Sequence, residues 1–382
     1  KDASIFDSNS NVGLFHDRFI FKSKEGDLEK LENAINEVLQ EVSDNLNIDL
    51  TTTKNYFQIH FFEKKLKDNE NPILVLTPYL DSKELFLQSA NDDTFLKKLS
   101  RKKGDKDNFL TENKGIVDDL KQLSSSNYYC VVHADGDNMG KAISDINNIE
   151  QISKSLFDYC VESSQLIKNF GGQTIFAGGD DLLFFAPIYD DSKSKSIFNL
   201  CDEISLKYDR KFNNVTTLSF GISVHYIKFP LYEAVEHSRK LLFSKAKDGL
   251  KNSIAVGVSK HSGQSFETTI SKFHVNVYQQ FLKFTSNIHD NDSTIGTFLH
   301  SIHHKIDTHK SIIEQIGNDR GKLQNFFNNN FNESIHKEYT TFFEYLIDFI
   351  YEVYQEEKID TNKKLDIVYF ALRFIKFIKG DK

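Results

Sequence analysis

The sequence predicts an α+β protein in which two ferredoxin-like domains, over residues 1–122 and 123–264, precede an all-α helical bundle over 265–382. Three observations carry this expectation. The middle third runs strand, helix, hairpin, helix, strand, an order that folds into an antiparallel sheet with its crossover helices on one face. The first third mixes strand-like runs with one amphipathic helix, and the last third keeps only helical periodicity. A chain of 382 residues also exceeds what one hydrophobic core usually organises.

Taken in order, residues 12–24 (VGLFHDRFIFKSK) cluster apolar side chains as a strand does. Residues 27–46 set Leu28, Leu31, Ile35, Val38, Leu39 and Val42 at helical spacing. The runs YFQIHFF at 56–62 and ILVLTPYL at 73–80 read as further strands, and the charged stretch RKKGDKD at 101–107 ends that unit. The middle domain opens with a strand at 128–134 and a helix around 150–169. A hairpin of 173–177 and 182–187, a helix around 193–210 and a strand at 216–224 complete the unit. A further helix over 231–247 places Ala234, Val235, Ser238, Leu241, Leu242 and Ala246 on one face, and Gly249 ends it before the short strand SIAVGV. From residue 266 onward, patterns such as 335–355 and 363–379 predict helices alone.

Composition narrows the function classes. With 39% hydrophobic residues, 27% charged residues and four prolines, the chain is expected to fold throughout. No apolar run approaches the roughly 18 residues that cross a bilayer. The opening KDASIFDSNS has no signal-peptide core. A cytoplasmic protein with no membrane partner is therefore expected. Cys130, Cys160 and Cys201 stand far apart, which argues against a zinc knuckle and a disulfide scaffold. A net charge of -8 argues against whole-molecule attraction to nucleic acid and leaves RNA contact to a local groove or to partner subunits. The 34 Phe, without one Trp, read as compositional bias.

The chemistry concentrates in VVHADGDNMGK at 131–141 and IFAGGDDLLFFAP at 175–187. In a βαββ core the first strand ends beside the hairpin tip, so Asp135 is expected to face Asp180 and Asp181. Mg²⁺ or Mn²⁺ takes carboxylate and phosphate oxygens, and this trio supplies them without Cys or His, as catalytic and metal-holding residues. Gly178 and Gly179 are expected to give the hairpin tip its positive φ and to leave room for a nucleotide. Gly136, Asp137, Asn138, Gly140 and Lys141 form a loop opening a helix, whose free N–H groups are expected to cradle phosphates. Asp137 reads equally as a metal contact and as a helix cap or loop brace. Lys247 and Lys251 flank Gly249 at a helix end, where they suit triphosphate charge or simply the helix dipole. Ser219, on the strand beside the hairpin, is read either as admitting a base or ribose or as sheet packing. The pair His16–Asp17 and the histidines His300, His303, His304 and His309 read as structural or solvated, because neither set has the partners of a metal motif.

These motifs resemble the large subunit of type III CRISPR effector complexes, Cmr type. The resemblance rests on DGDNMGK at 135–141, GGDDLL at 178–183, SFGIS with Pro230-Leu231, AKDGLKN at 246–252, FHDRF near the start and the terminal LRFIKFIKGDK. It implies two palm domains, the first degenerate and the second carrying GGDD, related more distantly to diguanylate cyclases and polymerase palms. It also implies that ATP becomes a cyclic oligoadenylate messenger when guide CRISPR RNA pairs with target RNA inside a complex of Cmr-type subunits. Two divalent ions would be bridged by Asp135 and Asp181, with Asp180 completing the shell. Many members carry an HD nuclease domain and a zinc-binding cysteine cluster, neither of which is expected here. Other products of the same palm would be AMP joined to a small-molecule acceptor, or a cyclic dinucleotide made from GTP without RNA. A silent scaffold binding guide RNA and partner subunits is the reading from another class.

Overall fold

The computed structural model describes Arg18 and residues 20–85, 126–144, 148–212, 215–286, 295–331 and 340–380. By contact the chain divides into a first unit of 1–9, 16–119 and 140–154 and a second of 10–15, 120–139 and 155–382. The His16–Asp17 pair and the stretch RKKGDKD lie outside the described residues.

The first unit contains α1 (Asp27–Leu46), α2 (Leu50–Tyr56) and α3 (Pro72–Glu84). Helix α3 corrects the strand expected at 73–80. Asn71 caps it by accepting from the N–H groups of Ile73 and Leu74, and Pro72 occupies its first turn, where a missing N–H costs nothing. These start signals outweigh an apolar run too short and too unbroken to identify a strand by period. The run at 56–62 is corrected as well: Tyr56 ends α2, which Asp49 caps, and 57–61 has no repetitive structure. Among the described residues the first unit has no strand, so the sheet expected there is not found in them.

The second unit is built on six strands, β1 (Tyr128–Asp137), β2 (Gln173–Gly178), β3 (Asp181–Ala186), β4 (Thr217–Tyr226), β5 (Ser253–Ser259) and β6 (Ser265–Ser271). Their order is β2-β3-β1-β4-β5-β6. The first four pair antiparallel, as the βαββαβ order requires. Strand β5 joins parallel to β4, and β6 closes the far edge antiparallel. The sheet thus continues to Ser271, past the point at which strand signals end in the sequence reading. In β6 (SFETTIS) only Ile270 and Ser271 are buried, and that outward face hides the strand period.

Two faces follow from the register. Odd-numbered residues of β1 and β4 face α7 (Leu231–Leu241), which follows α4 (Met139–Ala142), α5 (Ile149–Phe170) and α6 (Ile197–Lys211) in the chain. Ser223 Oγ donates to Ala234 O at 2.8 Å, and His133 Nδ1 lies 2.7 Å from Ser238 Oγ. A Cβ on Gly221 would collide with Ser238 O and Leu242 N, so this glycine lets the helix approach the strand. Even-numbered residues face α5 and α6, whose Tyr159 and Tyr208 meet edge to face at 5.0 Å. The helix read over 231–247 changes character at Leu242. Residues 242–246 form a π-helical turn, with Lys247 N–H bonded to Leu242 O at 2.9 Å.

The remaining helices are α8 (Val275–Ser286), α9 (Ile295–Thr308), α10 (Lys310–Ile316), α11 (Arg320–Asn330), α12 (Thr340–Gln355) and α13 (Thr361–Gly380). Phenylalanine forms their seam with the sheet domain. Phe198 of α6 lies 4.9 Å from Phe281 and 5.0 Å from Phe374, and Tyr128 of β1 lies 4.6 Å from Phe377. The phenylalanines set aside as compositional bias include these seam residues. His300 and His304 are exposed, whereas His303 is half-buried against Tyr369. No helix among the described residues is long and apolar enough to cross a membrane.

Candidate active site

Strand β1 pairs with β3 through Ala134↔Leu182 and with β4 through Asp135↔Ser219 and Asp137↔Thr217. Gly178↔Asp181 closes the β2–β3 hairpin, leaving Gly179 and Asp180 as a two-residue turn. Gly179 supplies the left-handed conformation at φ +66°, while Gly178 sits in β2 without it. The Cys160 thiol of α5 donates to Gly179 O at 3.5 Å and braces the turn.

Continuing the β1–β3 register by one pair puts Asp181 beside Asp135 on the odd face. The next pair sets Asp180 beside Gly136 on the even face. A Cβ on Gly136 would stand 2.5 Å from both Asp180 Oδ2 and Tyr208 Oη, so the glycine is what admits this carboxylate. Burial, then the neighbouring Asp181 charge, push the Asp180 carboxyl up to about 6. The three predicted carboxylates are therefore split between two faces. Among the described residues no three His, Cys, Asp or Glu side chains are grouped as a ready metal site.

On the odd face the Asp135 carboxylate pairs with the Lys247 ammonium, which also donates to Gly136 O at 2.8 Å. Both side chains of this pair are 17% exposed, and burial, then Lys251, bring Lys247 down to about 8. Lys251 reaches Asn138 Oδ1 at 3.1 Å. Asn138 and Lys251 both have left-handed backbones, at φ 62° and 59°.

Asp137 and Ser219 take supporting places rather than the nucleotide-facing ones expected of them. Both are fully buried. Asp137 Oδ2 accepts from Thr217 Oγ1 at 2.9 Å, Ser219 Oγ at 2.8 Å and the Asn252 N–H at 2.9 Å. The loop-brace reading of Asp137 is the one this geometry fits. The helix expected to open after this loop is a single turn of four residues, α4. Gly140 and Lys141 are exposed and belong by contact to the first unit.

Sequence reasoning missed Thr217, Asn252 and Tyr208. Thr217 was legible, since it stands two residues before Ser219 on the same strand face. Asn252 closes the AKDGLKN phrase, but its bond uses the backbone and leaves no side-chain signal. Tyr208 meets the site only through the packing of α6.

Residues 128–255 match the family model described as Cas10/Cmr2, second palm domain. The CRISPR system Cmr subunit Cmr2 of Pyrococcus furiosus is 29% identical over 222 residues, covering 48% of this chain and 24% of that protein. The match thus spans about a quarter of that relative's length. Among solved structures, a Csm1–Csm4 cassette in complex with cA4 is similar at a TM-score of 0.37 and 16% identity, over 66% of this chain and 36% of that one. A Csm1–Csm4 cassette in complex with AMPPNP gives 0.38 and 15%, over 69% and 38%. Csm1 in T. onnurineus gives 0.39 and 13%, over 65% and 38%.

Proposed function

We propose that this chain, which carries in residues 128–255 the second palm domain of a Cas10/Cmr2 large subunit, converts ATP into cyclic oligoadenylate within a type III CRISPR effector complex. Guide CRISPR RNA, target RNA and Cmr-type subunits are its proposed partners, and Mg²⁺ or Mn²⁺ its metal.

One observation carries the reading. The Lys247 ammonium sits between an Asp135 carboxylate oxygen and Gly136 O, so a cation is already held by two hard oxygen donors on the face that also receives Asp181. Divalent Mg²⁺ or Mn²⁺ takes the same donor type. As they stand, Asp135, Asp181 and Gly136 O fit one ion. A second ion would draw on Asp180, which must first leave its place beside Tyr208. When bound, the metal would acidify an attacking ribose hydroxyl and offset charge on the phosphates.

The chain's own residues do the rest. Asp135 and Asp181 hold the cation on the open end of two neighbouring strands. Lys247, freed from Asp135, meets the triphosphate, and Lys251 adds charge beside it. Asp137 keeps the loop bearing both lysines against β1 and β4. Gly179 leaves the hairpin tip without a side chain where the nucleotide enters.

The test is the assembled complex with ATP, Mn²⁺ or Mg²⁺ and cognate target RNA, followed by pyrophosphate release and mass analysis of products. Cyclic adenylates from the wild type, lost in Asp181→Asn and Asp135→Asn, are the expected result. An adenylated small molecule would transfer the chemistry to another acceptor. No pyrophosphate release, with Asp181→Asn indistinguishable from wild type, would sink the catalytic reading.

A further inference from the structure

Phe243 is a large aromatic side chain left 48% exposed, as Phe157 and Phe273 of the same unit also are, and of these three it alone stands beside the Lys247 ammonium. It stands in the π-helical turn 242–246, and such wide turns recur at functional sites. The Lys247 ammonium lies 5.8 Å from the centre of its ring, and that same ammonium bonds Gly136 O at 2.8 Å and pairs with Asp135. The ring is thus one lysine away from the carboxylate proposed to hold the metal. Its distance from the cation site suits a nucleotide, whose base hangs a ribose beyond its phosphates.

The placement has a local cause. Gly221 lacks the Cβ that would collide with Ser238 O and Leu242 N, so β4 accepts the wide turn at close range. The extra residue in that turn brings Phe243 and Lys247, four apart, to the same side of a helix whose buried side is taken by Leu242 and Ala246. Leu250, 55% exposed after that turn, is the nearest exposed large apolar residue in sequence among the described residues.

We propose that Phe243 is the stacking platform for the base of the nucleoside triphosphate whose phosphates lie along Lys247 and Lys251. This rests on the palm reading above and extends it to base recognition. An aromatic face binds any base through its π-surface, a purine most strongly, so Phe243 supplies affinity and leaves hydrogen-bond selection to other groups. The Lys247 ammonium, which lies over a face of the Phe243 ring, adds a cation–π contribution.

Two probes separate base from phosphate: ATP, and inorganic tripolyphosphate, which has no base. Both are titrated with Mg²⁺ into the full chain and its variants. Phe243→Ala is expected to weaken ATP about tenfold or more while changing tripolyphosphate by less than about twofold. Phe243→Trp should keep ATP binding. Because the chain has no other Trp, its emission in that variant reports the site alone, and ATP should quench it where tripolyphosphate does not. Wild-type ATP affinity in Phe243→Ala, or equal weakening of both probes, overturns the inference and leaves the palm reading standing. Failure of the wild type to bind ATP at all overturns both.

Discussion

The N–H of Asn252 donates to Asp137 Oδ2 at 2.9 Å, tying the loop after α7 to the end of β1 across 115 residues of sequence. Thr217 and Ser219 donate to the same oxygen, and Ser219 accepts in turn from the N–H of Ser253. Asn252 and Lys251 both hold left-handed backbones, a conformation that costs a non-glycine residue about 1 kcal/mol or more and persists where its surroundings enforce it. Asp137 is that enforcement.

Asp137→Ala leaves two hydroxyls and one N–H without their acceptor inside the fold. Stability is expected to fall by about 3–5 kcal/mol in urea denaturation, with Asp137→Asn falling less because it keeps the volume and one oxygen. An Asp137→Ala midpoint equal to that of wild type would show that the knot contributes nothing.

Asp180 gives a pH signature. Its carboxyl is raised from the ordinary aspartate value of 3.8 to about 6 in the folded state, so its contribution is fully present below about pH 4 and lost as pH rises through 6. Asp180→Asn removes the ionisation. The variant should melt higher than wild type at pH 7–8, by up to about 3 kcal/mol, and the two should converge near pH 4. A constant difference from pH 4 to 8 would assign the effect to packing instead.

Gly221 and Gly179 answer to different constraints. Gly221→Ala drives a methyl into the α7 backbone and is expected to cost about 1–3 kcal/mol by overpacking. Gly179→Ala has to adopt φ +66°, at a cost of about 1–2 kcal/mol. Thermal unfolding of both variants, with Gly178→Ala as the comparison at a position without positive φ, checks the distinction.

Lys247 competes with a metal for Asp135. Lys247→Met is expected to raise the affinity for Mn²⁺ alone, read by paramagnetic resonance, and to lower that for ATP with Mn²⁺. Weaker Mn²⁺ binding in the variant would mean that the lysine supports the cation site rather than occupying it.

The second domain was legible because βαββαβ is a local pattern with a single simple closure: six consecutive elements and two acidic turns fix which strand ends meet. The sequence does not say which face of the sheet each carboxylate takes. That depends on register, and Asp180 and Asp181, adjacent in the chain, end on opposite sides. Buried support was also hidden, since a serine that braces an aspartate and a serine that faces a ligand read alike. In the first unit, ILVLTPYL fits strand and helix equally by period, and Asn71-Pro72 ahead of it settled the matter. The aromatic seam went unseen because phenylalanine has no spacing signature when its partners come from separate helices.

The sheet order has a consequence for how the site opens. Strands β1, β3 and β4 each have a neighbour on both edges, so these strands cannot separate without breaking two ladders at once, while Asp135, Asp181 and Ser219 stand at the ladder ends, each paired on one side. The mid-strand amides of Val132, Phe184 and Ile222, each paired on both sides, should exchange hydrogen with solvent only through opening of the whole sheet. The amides of 248–251, fastened chiefly by side chains, should exchange sooner. The carboxylates thus stand at the ends of strands whose centres open slowly and Lys251 in a loop that opens faster, so a ligand can be admitted while the frame that positions it stays closed.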